Sequence, residues 1–295
     1  MKKDRRSFVQ QGTLLGGGLA LLSAERVSAG ARDAAGAAGK PANETLATIH
    51  DLRSTHGNFS DRQLPEEALQ AILQASVRAA NASAMQSYSI VVVRDPALMK
   101  QLCGYSGSRL LVYCIDYNRV KASADHLGLP YNADSIVDLV TGGVNTTLAA
   151  QTAVIAARSL GIDSLITNGI HRGDMERVFK LLELPETLCF PLIAVVLGYA
   201  TEQPTVRKGR LSGPGLVHDG KYHRLTKDEL DALVRQHDDP ASHLGLNDNW
   251  RQEGRKHYLE WLYGSWLARA AKPTTAETQM LRLLKRSGFV ETQRA

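Results

Sequence analysis

The sequence predicts an α+β fold, an α/β sandwich in which helices flank a central sheet. Four short strand-like segments, at residues 89–93, 110–117, 164–167 and 191–198, alternate with helical segments along the chain. Two of these strands are densely apolar, as expected for strands that are covered on both faces. One long helix, rich in alanine, precedes the third strand. With 295 residues and 43% apolar content, the chain is large enough to bury a full core.

The first 29 residues are interpreted as an export signal. The segment Asp4-Arg5-Arg6-Ser7-Phe8-Val9 resembles the twin-arginine motif, and a weakly apolar, glycine-rich run follows it. Small residues before position 30 predict cleavage after Ala29. We therefore expect export by the twin-arginine pathway to the periplasm or another extracytoplasmic space, the alternative being a disordered basic tail. Because this route carries folded proteins, the signal also hints at a cofactor bound before export.

The charge balance argues against a nucleic-acid partner. The chain has 35 basic and 30 acidic residues, and five of the basic but only two of the acidic ones lie within the first 29 residues. The basic pI is therefore largely a property of the N-terminus. The three cysteines show no disulfide framework, and no histidine or carboxylate cluster has metal-ligand spacing. No metal site is expected.

Residues 30–44 are rich in alanine and glycine and are predicted to be a flexible linker. Folded structure should begin with a helix at residues 45–52. The triplet Arg53-Ser54-Thr55 then follows at the end of this helix. A charged guanidinium fork beside two hydroxyls suits a phosphate, although such triplets also occur by chance on loops.

The next stretch is predicted from its turn and helix signals. Pro65 opens a helix with acids in its first turn, and a small polar loop, Asn81 to Tyr88, ends it. The strand at 89–93 leads to a short helix at 95–103 and to the strand at 110–117. Residues 118–134 are predicted to be a polar loop.

The helix that starts at Ile136 and stops at Gly161 is the longest element predicted. Its many alanines would let another backbone approach closely, which suits a domain centre or a subunit interface. The strand at 164–167 then runs into Asn168-Gly169, a turn that can direct main-chain N–H groups toward a ligand. The alternative is an ordinary core helix followed by a loop.

A helix is predicted at 174–184, and the last strand follows it. Two further segments come after this strand, one of them basic and the other rich in aromatic residues. Arg207, Lys208 and Arg210 flank Gly209 and suit a phosphate or an electron-rich anionic ring, unless they form a solvated basic loop. Residues 226–295 are predicted to be a helical extension, with helices at 226–236 and 276–287. Its tryptophan-rich part could contact a partner subunit or the cofactor pocket, or simply pack. The last helix is amphipathic, so a membrane-surface role is open.

Seven of these segments occur in an order and spacing that resemble the nitroreductase family of FMN-dependent flavoproteins. The likeness covers residues 47 to about 225, and we therefore predict an FMN-binding domain at 45–225. The segments are Arg53-Ser54-Thr55 with Phe59, the loop Ala82 to Tyr88, Leu148-Ala149-Ala150-Gln151, Leu160-Gly161-Ile162, Asn168-Gly169-Ile170-His171-Arg172, Leu197-Gly198-Tyr199 and Lys208-Gly209-Arg210.

The resemblance implies a mixed sheet, a homodimer with the long helix in its interface, and FMN bound between the subunits. It also implies a role for each segment. The phosphate would be held by Arg53, Ser54 and Thr55, and the ribityl chain and ring edge by Asn81, Ala82, Ser83 and Gln86. Flavin N5 would meet the Asn168 and Gly169 turn, and Lys208 and Arg210 would reach the phosphate or the pyrimidine side. His171 and Arg172 are weaker candidates for contact with substrate or cofactor.

The expected activity is an FMN-dependent oxidoreductase that reduces an electron-poor acceptor, such as a nitroaromatic or a quinone. The donor would be NAD(P)H or, because nicotinamides should be scarce outside the cytoplasm, a quinone or a partner redox protein. One alternative is an exported flavin-binding redox carrier or sensor without turnover. Another is a binding protein whose flavin site is a relic, since Gly57, Tyr105 and Ser106 depart from the family pattern.

Overall fold

The computed structural model describes residues 43–246, 249–268 and 274–290. The export signal at 1–29 and most of the predicted linker lie outside them. The described helices are α1 (Glu44–His50), α2 (Glu66–Val77), α3 (Pro96–Cys103), α4 (Asn118–His126), α5 (Ile136–Ser159), α6 (Met175–Leu181), α7 (Lys227–Asp238), α8 (Tyr258–Trp261) and α9 (Thr275–Arg286). The strands are β1 (Tyr88–Val93), β2 (Arg109–Asp116), β3 (Asp163–Thr167) and β4 (Cys189–Gly198).

The four strands form one sheet in the order β1-β2-β4-β3. The α+β class is therefore confirmed, but each pairing among the described strands is antiparallel, so the expected mixed sheet is wrong for this part of the chain. The apolar strands β2 and β4 are central and are buried along most of their length. Helices α2 and α5 contribute to the core on one face of the sheet, and α3 and α6 contribute to the core on the other. This places the core in two layers, as the apolar pattern of the strands predicts.

Helix α5 packs its small residues against the sheet and α2. Ser135 and Asp138 form a capping box at its start. Ala149, Ala150 and Ala153 are at most 1% exposed, and a β-carbon on Gly142 would lie 2.6 Å from Cγ2 of Ile115. The small residues therefore permit the close approach that the sequence predicts.

The opposite side of α5 carries an exposed apolar stripe. Val137, Val140, Val144 and Leu148 are between 41% and 68% exposed. Their spacing of three and four residues places them on one side of the helix. Scattered exposed apolar residues are ordinary, but an ordered row of four along a central helix indicates a contact surface.

Residues 118–134 contain a helix that the sequence analysis interpreted as part of a loop. Helix α4 buries no residue, so it lacks the apolar periodicity from which helices are recognised. Its support is local: the ammonium of Lys121 pairs with Asp125 one turn later at 2.5 Å.

One boundary also differs slightly from expectation. Helix α1 begins at Glu44, where the Asn43 side chain accepts from the N–H of Leu46 at 3.0 Å, so Glu44 belongs to the helix and not to the linker. Among the described helices, none is long and apolar enough to cross a membrane. Cys103, Cys114 and Cys189 are free thiols buried in the core.

The extension after residue 225 has its own packing. Thr226 and Glu229 form a capping box that starts α7, as predicted from Thr226. The aromatic residues Trp250, Tyr258 and Trp261 pack with one another and with side chains of α7. Leu283 on α9 is fully buried against the sheet end near α6, so α9 uses its apolar side for packing. A membrane-surface role would need that side free.

Candidate functional site

A cleft of about 450 Å³ lies beside β3, within the size range of small-ligand sites, about 300–1,000 Å³. Its walls come from the end of α1, the middle of α5, strand β3 and the basic loop after β4. The residues that line it are Ile49, His50, Leu52, Arg53, Ser54, Gln151, Val154, Ser164, Ile166, Arg207, Lys208, Gly209 and Arg210. Four of the predicted binding residues, Arg53, Ser54, Lys208 and Arg210, therefore meet in one place, although more than 150 positions separate the two pairs.

Arg53 enters the cleft from the chain that leaves α1. Its Nε and Nη2 donate to Oδ1 of Asp163 at 3.2 and 2.8 Å. Nη2 also donates to Oε1 of Gln203. The guanidinium is thus held on one side by a carboxylate and an amide, with about 21% of the side chain exposed.

Ser54 and Thr55 follow Arg53 alongside β3. The N–H of Thr55 donates to the carbonyl of Ser164 at 2.9 Å, which ties this segment to the strand. Ser54 lines the main cleft and also a neighbouring cavity of about 270 Å³, whereas Thr55 lines the neighbouring cavity. The predicted clamp is therefore divided between two adjacent spaces, with only Arg53 and Ser54 in the larger one.

The basic loop at 207–210 forms part of the cleft wall and is fixed by the C-terminal extension. The N–H of Gly209 donates to the carbonyl of His243 at 3.1 Å, and Nζ of Lys208 donates to the carbonyl of Gly245 at 2.5 Å. Arg207 pairs with Asp51 at 3.4 Å. The Nη1 of Arg210 donates to the carbonyl of Gly209 at 2.8 Å, so no acid neutralises Arg210 among the contacts of the described residues.

Two buried or half-buried acids organise the cations around the cleft. Burial would raise the pKa of Asp163, but the Ala200 N–H and the Arg53 guanidinium outweigh it, so the pKa lies below its ordinary value. Burial likewise would raise the pKa of Asp51, and hydrogen bonds and charge from Arg158 lower it instead. Both acids are therefore anionic at neutral pH. Arg158 contacts both of them, with Nη1 at 3.2 Å from Asp163.

Asp163, Arg158 and Gln203 were not among the residues predicted for the site. The available signal was an aspartate at the start of an otherwise apolar buried strand, where an unpaired carboxylate would be costly. Two of its partners, Arg53 and Gln203, lie 110 and 40 positions away in the sequence, and local patterns do not reveal them.

The loop that contains Asn81, Ala82, Ser83 and Gln86 does not line this cleft. It lies near an earlier turn of α5, where the N–H of Ala82 donates to Oδ1 of Asn145 at 3.0 Å. The Asn81 side chain accepts from the N–H of Gln86 at 3.1 Å. Ser83, Ala84 and Gln86 all have positive φ, at 54°, 55° and 47°. Such conformations are strained for residues with a β-carbon and cluster at functional sites.

The Asn168-Gly169 turn also lies outside the cleft lining, two residues after Ile166. Asn168 is exposed and Gly169 is buried. The N–H of Gly169 donates to Oγ1 of Thr167 at 2.9 Å. A β-carbon there would lie 2.3 Å from the carbonyl oxygen of Cys103, so glycine is required by close packing.

His171 and Arg172 do not line the cleft either. The Nε2 of His171 lies 2.8 Å from the carbonyl of Pro191, and burial lowers the pKa of this histidine. Arg172 is exposed. A role in substrate contact has no support from the geometry of the single protomer.

The residues of the cleft suit a phosphate ester that carries a flat, partly apolar group. Arg53, Lys208 and Arg210 all line the cleft and supply positive charge, which matches a phosphate monoester. Val154 and Ile166 supply apolar surface in the same lining. This donor set therefore fits the phosphate end of FMN.

Comparison with known proteins agrees with this chemistry. The model of the Nitroreductase family matches residues 51–199. The chain is 29% identical over 247 residues to the NADPH-flavin oxidoreductase of Vibrio harveyi, covering 77% of this chain and 99% of that protein. It is 28% identical over 231 residues to the oxygen-insensitive NADPH nitroreductase of Salmonella typhimurium, covering 70% and 91%. The solved structure of the NADPH:FMN oxidoreductase from Vibrio harveyi, complexed with NAD+, has a TM-score of 0.67 at 25% identity over 84% of this chain and 99% of that chain.

Proposed function

The chain belongs to the nitroreductase family, and from this membership we propose that it is an FMN-dependent oxidoreductase that reduces an electron-poor acceptor such as a nitroaromatic or a quinone. The observation that carries the proposal is the convergence of Arg53, Ser54, Lys208 and Arg210 on one cleft. FMN supplies the redox chemistry when bound. The protein binds it, orients it and excludes water around it.

We assign the phosphate to the space between Arg53 and Arg210. Arg53 offers Nη1, for which the described residues provide no hydrogen-bond acceptor, and Arg210 offers a guanidinium without an acidic partner. Lys208 adds a third cation, and its ammonium can leave the Gly245 carbonyl for a phosphate because a charged acceptor binds it more strongly. Ser54 adds a neutral donor.

A homodimer completes the site in this proposal. The 81–86 loop and the Asn168-Gly169 turn do not line the cleft of their own protomer, and the exposed stripe of α5 offers a surface for a second copy. Pairing two such stripes would remove four apolar side chains per protomer from water. The second copy would then bring its own polar loop toward the ring end of the cofactor.

The electron donor is proposed to be NADPH or NADH, because the relatives above are named as NADPH-dependent enzymes. If residues 1–29 direct export, a quinone or a redox protein would replace the nicotinamide in the cell. We propose export by the twin-arginine route from the paired Arg5 and Arg6. Cell fractionation of the chain and of a variant with Lys at both positions tests this, since the variant should remain in the cytoplasm.

The function is tested with the absorption spectrum of the purified protein and with anaerobic titration. The bound cofactor should give a flavin spectrum, NADPH or a quinol should bleach it, and a nitroaromatic or a quinone should restore the colour. Protein that stays colourless after incubation with FMN contradicts the proposal. Bound flavin without turnover of any donor and acceptor pair favours the redox carrier or sensor instead.

A matched pair of variants links this result to the cleft. Arg210→Ala should weaken FMN binding by about tenfold or more, because a charge-assisted hydrogen bond is lost. Arg94→Ala is the control, since Arg94 also carries a full charge and pairs with Glu66 at 2.9 Å but lies outside the cleft. Equal effects of the two variants would contradict the assignment of the phosphate to this cleft.

A further inference from the structure

Asp163 is a buried carboxylate at the start of β3, and its side chain is 3% exposed. Both of its oxygens are used. Oδ1 accepts from Nε and Nη2 of Arg53 at 3.2 and 2.8 Å and from Nη1 of Arg158 at 3.2 Å. Oδ2 accepts from the N–H of Ala200 at 3.0 Å and lies 3.5 Å from Nε2 of Gln203. Asp163 itself does not line the cleft.

This arrangement fixes the guanidinium of Arg53 in one orientation. A guanidinium has three nitrogens in a rigid plane, so a carboxylate that engages Nε and Nη2 sets the direction of the third. The third nitrogen, Nη1, has no hydrogen-bond acceptor among the described residues that surround it. Gln203 supports the same orientation through its contact with Nη2.

The main-chain anchor of Asp163 makes this orientation rigid. Ala200 lies two residues after β4 and forms an antiparallel β-bridge with Phe59. Its N–H therefore ties the carboxylate of Asp163 to the sheet. Arg53 lies on the irregular segment after α1, where its long side chain would otherwise sample many rotamers. The sheet therefore imposes a fixed position on a side chain that its own backbone segment does not restrict.

We propose that Asp163 is a positioning residue for the cofactor phosphate, which acts by holding Arg53 so that Nη1 is directed to that phosphate. This inference rests on the proposed function and names a residue that supports it. Asp163 is not a catalytic residue, because it does not touch the cofactor. Its effect on binding is transmitted by Arg53.

The direction in which Asp163→Asn changes FMN affinity separates this positioning role from simple electrostatics. Asp163→Asn removes a negative charge near an anionic ligand, so electrostatics alone would make FMN bind more tightly. A positioning role has the opposite consequence. Oδ1 accepts from both arginines and Oδ2 accepts from the Ala200 N–H, so an amide must turn its NH₂ toward one of these donors and lose either the hold on Arg53 or the main-chain anchor. FMN should then bind more weakly.

The experiment compares the affinity of FMN with that of riboflavin, which lacks the phosphate, by quenching of flavin fluorescence on the apoprotein dimer. Asp163→Asn should weaken FMN binding by about tenfold, the effect of losing a well-oriented charged hydrogen bond. Riboflavin affinity should change by less than about twofold, since the ring end of the site is untouched. Asp116→Asn is the control, because Asp116 is a half-buried strand-end carboxylate that accepts from the Asn118 N–H at 2.9 Å but lies outside the cleft.

A double variant tests whether Asp163 acts through Arg53. In an Arg53→Ala background, adding Asp163→Asn should cause no further loss of FMN affinity, because the positioned group is already absent. Asp163→Glu keeps the charge and moves the carboxylate by one methylene. Asp163→Glu should also weaken the binding of FMN more than that of riboflavin, and it remains informative if Asp163→Asn does not fold.

The inference is overturned if the Asp163 variants bind FMN as tightly as or more tightly than wild type, or if FMN and riboflavin lose affinity equally. A further loss in the Arg53→Ala background would overturn it as well. These outcomes leave the proposed function intact as long as the wild-type protein binds FMN. Wild-type protein that binds neither flavin would overturn both.

Discussion

The N–H of Gly209 donates to the carbonyl of His243 at 3.1 Å, and this hydrogen bond joins the basic wall of the cleft to the C-terminal extension. A β-carbon on Gly209 would lie 1.9 Å from the carbonyl oxygen of Ser242, so only glycine permits the contact. The nearby bond from Lys208 to Gly245 strengthens the same junction. The extension is therefore a structural support of the cleft rather than an independent appendage.

The first prediction concerns this junction. Gly209→Ala should displace the 207–210 loop, because the new β-carbon meets backbone that cannot move alone, and overpacking of this kind costs about 1–3 kcal/mol. FMN affinity should fall by about tenfold through misplacement of Lys208 and Arg210. Gly264→Ala is the matched control, since the nearest atoms to its β-carbon are 3.8 Å away. Unchanged FMN affinity in Gly209→Ala would show that the extension does not support the site.

The second prediction concerns the exposed stripe of α5. Val144→Asp should convert the proposed dimer into monomers, because burial of an unpaired carboxylate at the proposed interface would cost about 3 kcal/mol or more. Light scattering coupled to size-exclusion chromatography measures the change. Leu127→Asp is the control, since Leu127 is 69% exposed at the end of α4 and not on the stripe. A wild-type protein that is monomeric at micromolar concentration would contradict the interface.

The third prediction concerns pH and His171. Burial lowers the pKa of this histidine below its ordinary value near 6.5, although the Pro191 carbonyl opposes the shift. As pH falls below about 6.5, the unfolded chain therefore takes up a proton before the folded chain does, and stability is lost until the folded pKa is passed. Above about pH 6.5 the contribution of neutral His171 to the free energy of unfolding is fully present.

Unfolding by urea between pH 8 and pH 5 measures the effect. The free energy of unfolding of wild type should decline more steeply in acid than that of His171→Gln, which has no ionisable ring. His243→Gln serves as the control for a histidine outside the core. Parallel curves for wild type and His171→Gln would contradict the assigned direction of the pKa shift.

The fourth prediction concerns the left-handed residues of the 81–86 loop. Ala84 has φ of 55°, which is unfavourable for a residue with a β-carbon. Ala84→Gly should raise the free energy of unfolding by about 0.5–1 kcal/mol, because glycine adopts this conformation without strain. The neighbouring Ala82 has no positive φ, so Ala82→Gly should destabilise the protein instead. Destabilisation by both variants would show that the strain is not relieved by glycine.

The elements that local pattern specifies were predicted well. The stop at Gly161, the cap at Thr226 and the apolar run before Gly198 all correspond to observed boundaries or strands. The family resemblance, drawn from the order of separated motifs, is confirmed by the match over residues 51–199. Local signals of this kind are encoded within a few residues, so a single sequence reveals them.

The features that the sequence analysis missed depend on residues far apart in the chain or leave no local pattern in the sequence. Helix α4 buries nothing and so shows no apolar period. The contact of Arg53 with Asp163 joins residues 110 positions apart. The sheet pairing was expected to be mixed, whereas strand direction depends on how connections cross the sheet, which strand composition does not determine. The assigned contacts of Asn81, Ala82, Ser83, Gln86, Asn168 and Gly169 with the cofactor stay predictions.

The three buried thiols have a consequence for how opening of this fold can be followed. Burial raises the pKa of Cys103. The contact with Cys189 and burial raise the pKa of the Cys114 thiol well above its ordinary value. Little thiolate is therefore present to react. An alkylating reagent should therefore modify the native chain slowly and the opened chain quickly. The rate at which each cysteine is alkylated therefore measures how often its own part of the core becomes exposed, with no label or substitution introduced.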